Sequence, residues 1–284
     1  MKHEKALELI LRLSAFFVLF GRGIQHLFYD APYRIILWNE GLLAPIFNLF
    51  GWSWKDYVTS SLTDRFINYS VILVGILLII CSLVVIFNYK KGEKLLYLSG
   101  CYLIVLSLLY MASKYFIPAQ FIEYSAQMFS PFALIMFWKK GQSDRLVLFI
   151  RLAVALTFIG HGSYALGIFP VPGNFVDMVI NILGCTESTA LVFLKIMGSL
   201  DFFAAILLFI PILDHWALTF CCAWGLLTSF ARVGEESVFG FMHTLSTLGH
   251  EFIMRGPHFL LPLFLIYSAQ KKAFNFLKAT NISK

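Results

Sequence analysis

Long uncharged or nearly uncharged runs alternate along the chain with short polar stretches, a pattern that predicts membrane-spanning helices. About 20 apolar residues cross the hydrocarbon core of a bilayer. Eight runs read as candidates: 9–28, 66–89, 95–115, 125–138, 146–167, 194–213, 216–232 and 252–270. The fourth is short, and the eighth begins in charged sequence. Apolar residues within the runs are continuous and do not alternate, which excludes a β-barrel. The first run contains Arg12 and Arg22 and lacks a small-residue cleavage site, so it reads as a retained helix and not a signal peptide.

Basic residues orient the spans. One set of loops holds Lys2, Lys5, Lys90, Lys91, Lys94, Lys139, Lys140, Arg145, Lys271, Lys272, Lys278 and Lys284. The opposite set holds Arg34, Lys55, Arg65, Lys114, Lys195, Arg232 and Arg255. The larger, clustered set predicts that both termini are cytoplasmic, in what reads as a bacterial inner membrane. Positive charge here is a topology signal, and nucleic acid is not an expected partner.

The pattern also repeats. Arg12-Leu13 followed by Gly21-Arg22-Gly23 recurs as Arg151-Leu152 followed by Gly160-His161-Gly162. The stretch 46–51, ending in Gly51, is echoed by 179–184, ending in Gly184. Gly75 precedes an aliphatic run as Gly198 does, and Met128 to Pro131 is matched with Met254 to Pro257. Offsets of 139, 133, 123 and 126 in colinear order predict duplication of a four-helix unit, residues 1–142 and 143–284. Both units then share one orientation, related by an axis along the membrane normal. Each carries an outer segment between its first two spans, rich in Trp38, Trp52 and Trp54 in the first unit and helically patterned at Phe175, Met178, Val179 and Ile182 in the second. These segments are expected to lie in the interface as lids.

Composition narrows the function classes. Of 284 residues, 59% are hydrophobic and only 13% charged, with a mean hydropathy of +0.78. A soluble domain carries roughly a quarter charged residues, so an ordinary cytosolic enzyme, a disordered regulator and a nucleic-acid binder are excluded despite the net charge of +6. The five cysteines include no CxxC, and adjacent Cys221 and Cys222 read as small fillers of a packed helix. Phenylalanine is abundant, but lipid-facing helices and a ligand pocket both use it.

Ionisable residues inside spans are costly and usually face a bundle interior or a cavity. Arg22, His26 and Asp30 follow i, i+4, i+8 spacing near the outer end of the first run, and His161 is at the matching level of the second unit. Arg232, Glu235 and Glu236 end the seventh run, and Glu251, Arg255 and His258 share one face at the start of the eighth. Pairs such as Arg22 with Asp30 or Glu251 with Arg255 also fit structural ion pairing, and lone histidines fit packing. His243, His250, Glu251 and His258 have the chemistry for a metal but no recognised spacing, so no metal is expected. Asp201 lies deep in the sixth run, where a carboxyl must be protonated, paired or part of a relay. Arg22, His26, His161, Arg232, Glu251, Arg255 and His258 are expected to converge on one cavity beneath the interfacial helices.

The run from Leu152 to Gly167, with Arg151 at its inner end and Gly160-His161-Gly162 at its outer end, resembles the opening helix of DoxX-like membrane proteins. Met197 to Asp201 followed by Ile206 to Leu208 resembles that family's second helix. The resemblance is strongest over the second unit. This chain departs from the family in being a tandem fusion and in carrying Phe202-Phe203-Ala204-Ala205 in place of a glycine-rich step. It implies a four-helix membrane fold and, for some members, a quinone-coupled oxidoreductase subunit.

The leading expectation is therefore a quinone-interacting membrane oxidoreductase or redox accessory subunit, with a membrane quinone as candidate cofactor. Reduction of a quinone needs proton donors beside its carbonyl oxygens. His161 and His258 are assigned as donors, Glu235 or Glu251 as proton carriers, and Arg22 and Arg255 as electrostatic stabilisers. His26, Arg232 and Asp201 are assigned to binding. No flavin, haem or nicotinamide motif is visible, so electrons would come from a membrane or periplasmic protein partner. Alternatives are a non-enzymatic assembly or scaffold subunit of an envelope complex, and a lipid or small-anion transporter.

Overall fold

The computed structural model describes residues 2–234 and 240–282. Every regular element among them is helical: α1 (Lys2–Phe28), α2 (Arg34–Leu37), α3 (Glu40–Leu49), α4 (Trp54–Thr59), α5 (Ser61–Ile86), α6 (Glu93–Ser113), α7 (Pro118–Ile122), α8 (Ser125–Lys140), α9 (Asp144–Ala165), α10 (Gly173–Leu183), α11 (Glu187–Leu207), α12 (Asp214–Gly234), α13 (Phe241–Met254) and α14 (Pro257–Ile282), with one 3-10 turn at Lys90–Gly92. Five helices (α5, α6 with its leading turn, α9, α11 and α12) are long and apolar enough to cross a membrane, or six when the bent pair α13–α14 counts as one span. These are the dimensions of a membrane protein. At 16 residues α8 is short for a crossing, and α1 carries Arg12 and Arg22 within its apolar stretch.

Two predicted boundaries move. The run at 194–213 begins earlier and ends sooner: α11 starts at Glu187, capped by the Thr186 side chain, and stops at Leu207. Pro211 follows in the turn, where its missing N–H cannot extend a helix. The run at 252–270 is broken, because α13 ends at Met254 and α14 starts at Pro257, with a bend of 42°. A proline disfavours helical geometry in the residue before it, here Gly256.

Two sets of contacts match. α1 packs on α5 as α9 packs on α11, α6 packs on α8 as α12 packs on α14, and α13 seats on α1 as α7 seats on α9. Leu7, Leu11, Ala15, Val18 and Leu19 form the buried stripe of α1, at the spacing that keeps one helical face inward. Glycines let the backbones approach. A Cβ at Gly21 would meet the backbone nitrogen of Met254 at 2.6 Å, and one at Gly160 would meet that of Glu123 at 2.6 Å. Gly75 abuts His26 and Leu27, while Gly198 abuts Ala165 and Leu166. At the other end, Arg12 donates to the carbonyls of Val85 and Ile86, and Arg151 donates to that of Leu208 and pairs with Asp214 at 3.1 Å.

One element of the pattern falls out of register. Pro131 lies inside α8, whereas Pro257 opens α14, and the interior proline of α14 is Pro262. The interfacial segments also differ. α3 buries no residue, while α10 buries Met178 and Val179, the latter against Ala190 and Leu194 of α11.

Candidate functional site

Beneath α10 is a cavity of about 480 Å³, enclosed by α9, α11, α12 and the α13–α14 junction. Ligand pockets of ~300–1,000 Å³ hold small molecules. Its walls are apolar: Phe158, Phe175, Met178, Leu194, Met197 and Trp224 among them, with the exposed Ile182, Leu183, Leu227 and Phe230 at its rim. Against these walls stand His161, Asp201, Arg232, Arg255 and His258. The amphipathic face of α10 covers the cavity, and Gly184 ends that helix in the left-handed conformation with φ 63°.

The polar end is built across both halves of the chain. The His161 and His258 rings are 5.3 Å apart. His258 Nδ1 lies 3.1 Å from the carbonyl oxygen of Arg255. A carbonyl only accepts, so Nδ1 is the donor and Nε2 of the neutral ring is an acceptor. His161 Nδ1 lies 3.4 Å from Glu123 Oε2. Glu123 takes a hydrogen bond from Gln120 Nε2 at 2.5 Å, and Gln120 Oε1 accepts from Tyr164 at 3.2 Å. Burial pushes the Glu123 carboxyl up to about 7, against the opposing pull of Arg255, Arg232, the Gln120 hydrogen bond and Arg22. Glu123 was not among the expected site residues. Its signal is an acidic residue directly before the apolar run at 125–138, on the side where the other charges gather.

Arg232 is in ion-pair contact with Glu251 at 3.7 Å and rests over the Phe175 ring at 5.6 Å. Arg255 makes no hydrogen bond or ion pair through its guanidinium among the described residues, and lines the cavity. The expected Glu251–Arg255 pairing is thus replaced by Glu251–Arg232. Glu251 does not line the cavity, because its carboxylate is turned to Arg232. Glu235 lies outside the described residues.

Arg22 and His26 do not join this cavity. Arg22 donates to Gln127 Oε1 at 2.8 and 3.2 Å and to Gln25 at 2.8 Å, with the Tyr110 and Tyr124 rings at 5.1 and 4.9 Å. Only about 10 Å³ remains beside it, room for about one water. His26 donates to the Arg22 carbonyl at 2.7 Å, so its other nitrogen accepts from Tyr102 at 2.5 Å, and Tyr102 meets Tyr33 at 2.7 Å. The expected pairing of Arg22 with Asp30 is also absent: Asp30 binds Arg34 at 2.9 Å, and Arg34 binds Asp64 at 2.8 Å. Side-chain size accounts for the difference between the two places. Where α1 presents the long side chains Arg22 and His26, α9 presents His161 and Ala165 at the same spacing from Gly21 and Gly160.

Among the described residues, no group of three or more His, Cys, Asp or Glu is arranged to hold a metal. His250 instead stacks on Tyr29, with ring centroids 4.1 Å apart. Comparison with protein-family models, with curated proteins and with solved structures finds no match to the chain.

Proposed function

We propose that this chain is an eight-span membrane protein of two tandem four-helix units, residues 1–142 and 143–284, that binds a membrane quinone in the cavity of its second unit. In this reading it is similar to DoxX-like proteins and acts as a quinone-interacting oxidoreductase or redox accessory subunit. Electrons come from a protein partner in the membrane or periplasm. Both termini are cytoplasmic, and the membrane is a bacterial inner membrane. The paired glycine crossings and the paired Arg12 and Arg151 contacts support the duplication.

The observation that carries the function is the chemistry of the cavity. An apolar slot ends at two imidazoles and an arginine without an ion-pair partner among the described residues. A quinone matches it: the isoprenoid tail fills the slot, and a carbonyl oxygen accepts from Arg255 or an imidazole N–H. His161 is the group best placed to pass on a proton, since Glu123 stands behind it at 3.4 Å. Arg232 adds positive charge, and its pairing with Glu251 limits the excess. Arg22 and His26 have structural roles in this reading.

Titration of the purified protein with decylubiquinone tests the reading, with tryptophan quenching as readout because Trp224 lines the cavity. Saturable binding is expected, weakened roughly tenfold or more by Arg255→Ala, the loss of one charge-assisted hydrogen bond, and to a smaller extent by His161→Ala. Unsaturable partitioning that neither variant alters would reject it.

A further inference from the structure

We infer that Asp201 is a second polar anchor of the cavity, so that the bound head carries oxygen atoms at two ends, as a quinone or quinol ring does. The inference rests on the quinone reading and specifies its ligand. Asp201 is only 4% exposed, lines the cavity, and leaves Oδ1 without a hydrogen-bond partner. Buried polar atoms are nearly always satisfied, so an unpartnered carboxyl oxygen on a residue that lines a cavity calls for a partner. No side chain among the described residues forms an ion pair with it.

Packing does not explain the carboxyl. Gly162 and Gly198 bring α9 and α11 together beside it: a Cβ at Gly162 would lie 2.9 Å from the Gly198 carbonyl and 3.1 Å from the Asp201 Cβ. Gly23 and Gly75 make the same crossing between α1 and α5, where a Cβ at Gly23 would lie 3.2 Å from the Gly75 carbonyl. Three residues after Gly198 comes Asp201; three residues after Gly75 comes Leu78, which is 2% exposed and part of the core. The same crossing thus closes with leucine where there is no cavity, and carries an acid where there is one.

Asp201 comes from α11, while the imidazoles and guanidiniums come from α9, α12 and the α13–α14 junction. A head with one oxygen satisfies one of these poles and leaves the other bare. A ring with oxygens at opposite ends satisfies both. A quinol hydroxyl donates to the Asp201 carboxylate, and the acid form of Asp201 donates to a quinone carbonyl.

The test pairs two probes with Asp201→Leu, which installs the residue of the closed crossing. Decylubiquinone presents oxygens at both ends of its ring, and 4-decylphenol presents one. Asp201→Leu is expected to fold with an unfolding midpoint at or above that of the unaltered protein. Its affinity for decylubiquinone should fall roughly tenfold or more while that for 4-decylphenol is unchanged. Asp201→Ala is the second variant, with the same split expected if leucine does not fit. An equal loss for both probes, or no loss for either, overturns the anchor and leaves the quinone reading intact. Failure of both probes to bind the unaltered protein overturns the quinone reading and this inference together.

Discussion

Glu123 shows how one residue links stability to the site. Its carboxyl is raised to about 7 by burial, so the folded protein holds a proton there that the unfolded chain releases near the ordinary carboxylate value. A raised carboxyl favours the folded state fully at low pH, and that contribution is lost as pH rises from about 4.5 through about 7. The unfolding midpoint in detergent should therefore decline across this window, and Glu123→Gln should flatten the decline; an unchanged slope in the variant would remove Glu123 as its source. Arg22 makes a different prediction. Its guanidinium is 2% exposed as a residue and held by Gln127, Gln25 and two tyrosine rings, remote from the cavity lining. Arg22→Ala should destabilise the protein by about 1–3 kcal/mol, the cost of leaving the buried Gln127 acceptor unsatisfied. Decylubiquinone affinity of the folded fraction should stay within a factor of two, and a selective loss of binding would return Arg22 to the site.

The helices carry their information unevenly. The runs that became α5, α6, α9, α11 and α12 were legible because 3.6-residue packing inside lipid tolerates few charges, leaving long apolar stretches to read. The break at Gly256-Pro257 was visible as letters but hidden by the apolar run that continues across it. Met128 to Pro131 matched Met254 to Pro257 by residue type, yet α8 carries its proline in its interior and α14 begins on one. Partner choice was less legible still: Glu251 and Arg255 share a helical face, but Glu251 reaches Arg232 on another helix. Gly21 and Gly160 match in the sequence pattern, and each is a point of close backbone approach, to Met254 and to Glu123. Gly160→Val should cost about 1–3 kcal/mol by overpacking against the Glu123 backbone, and Gly21→Val should cost a similar amount against Met254. Comparable drops in unfolding midpoint check this; a drop in one half alone would mean that the two crossings are not equivalent in energy.

At the scale of the molecule, the matched glycine crossings of α1 with α5 and of α9 with α11 stand beside spaces of very different size. Arg22 and His26 leave about 10 Å³ beside α1, whereas His161 and Ala165 line a cavity of about 480 Å³ beside α9. The topology that presents this site has its own check: with native Cys185 as one reporter and the exposed Lys91→Cys in a Cys185→Ser background as the other, membrane-impermeant maleimide should label them from opposite sides. Labelling from one side only would reject the eight-span arrangement. The central claim is that a quinone occupies the second-unit cavity, and the most direct measurement is photolabelling with an azido-quinone followed by peptide mapping. Adducts are predicted on the α10, α11 and α12 residues that line the cavity, such as Met178, Met197 and Leu227, with none on Leu103 or Leu106 beside Arg22. Adducts spread over the lipid-facing surface, or concentrated beside Arg22, would contradict it.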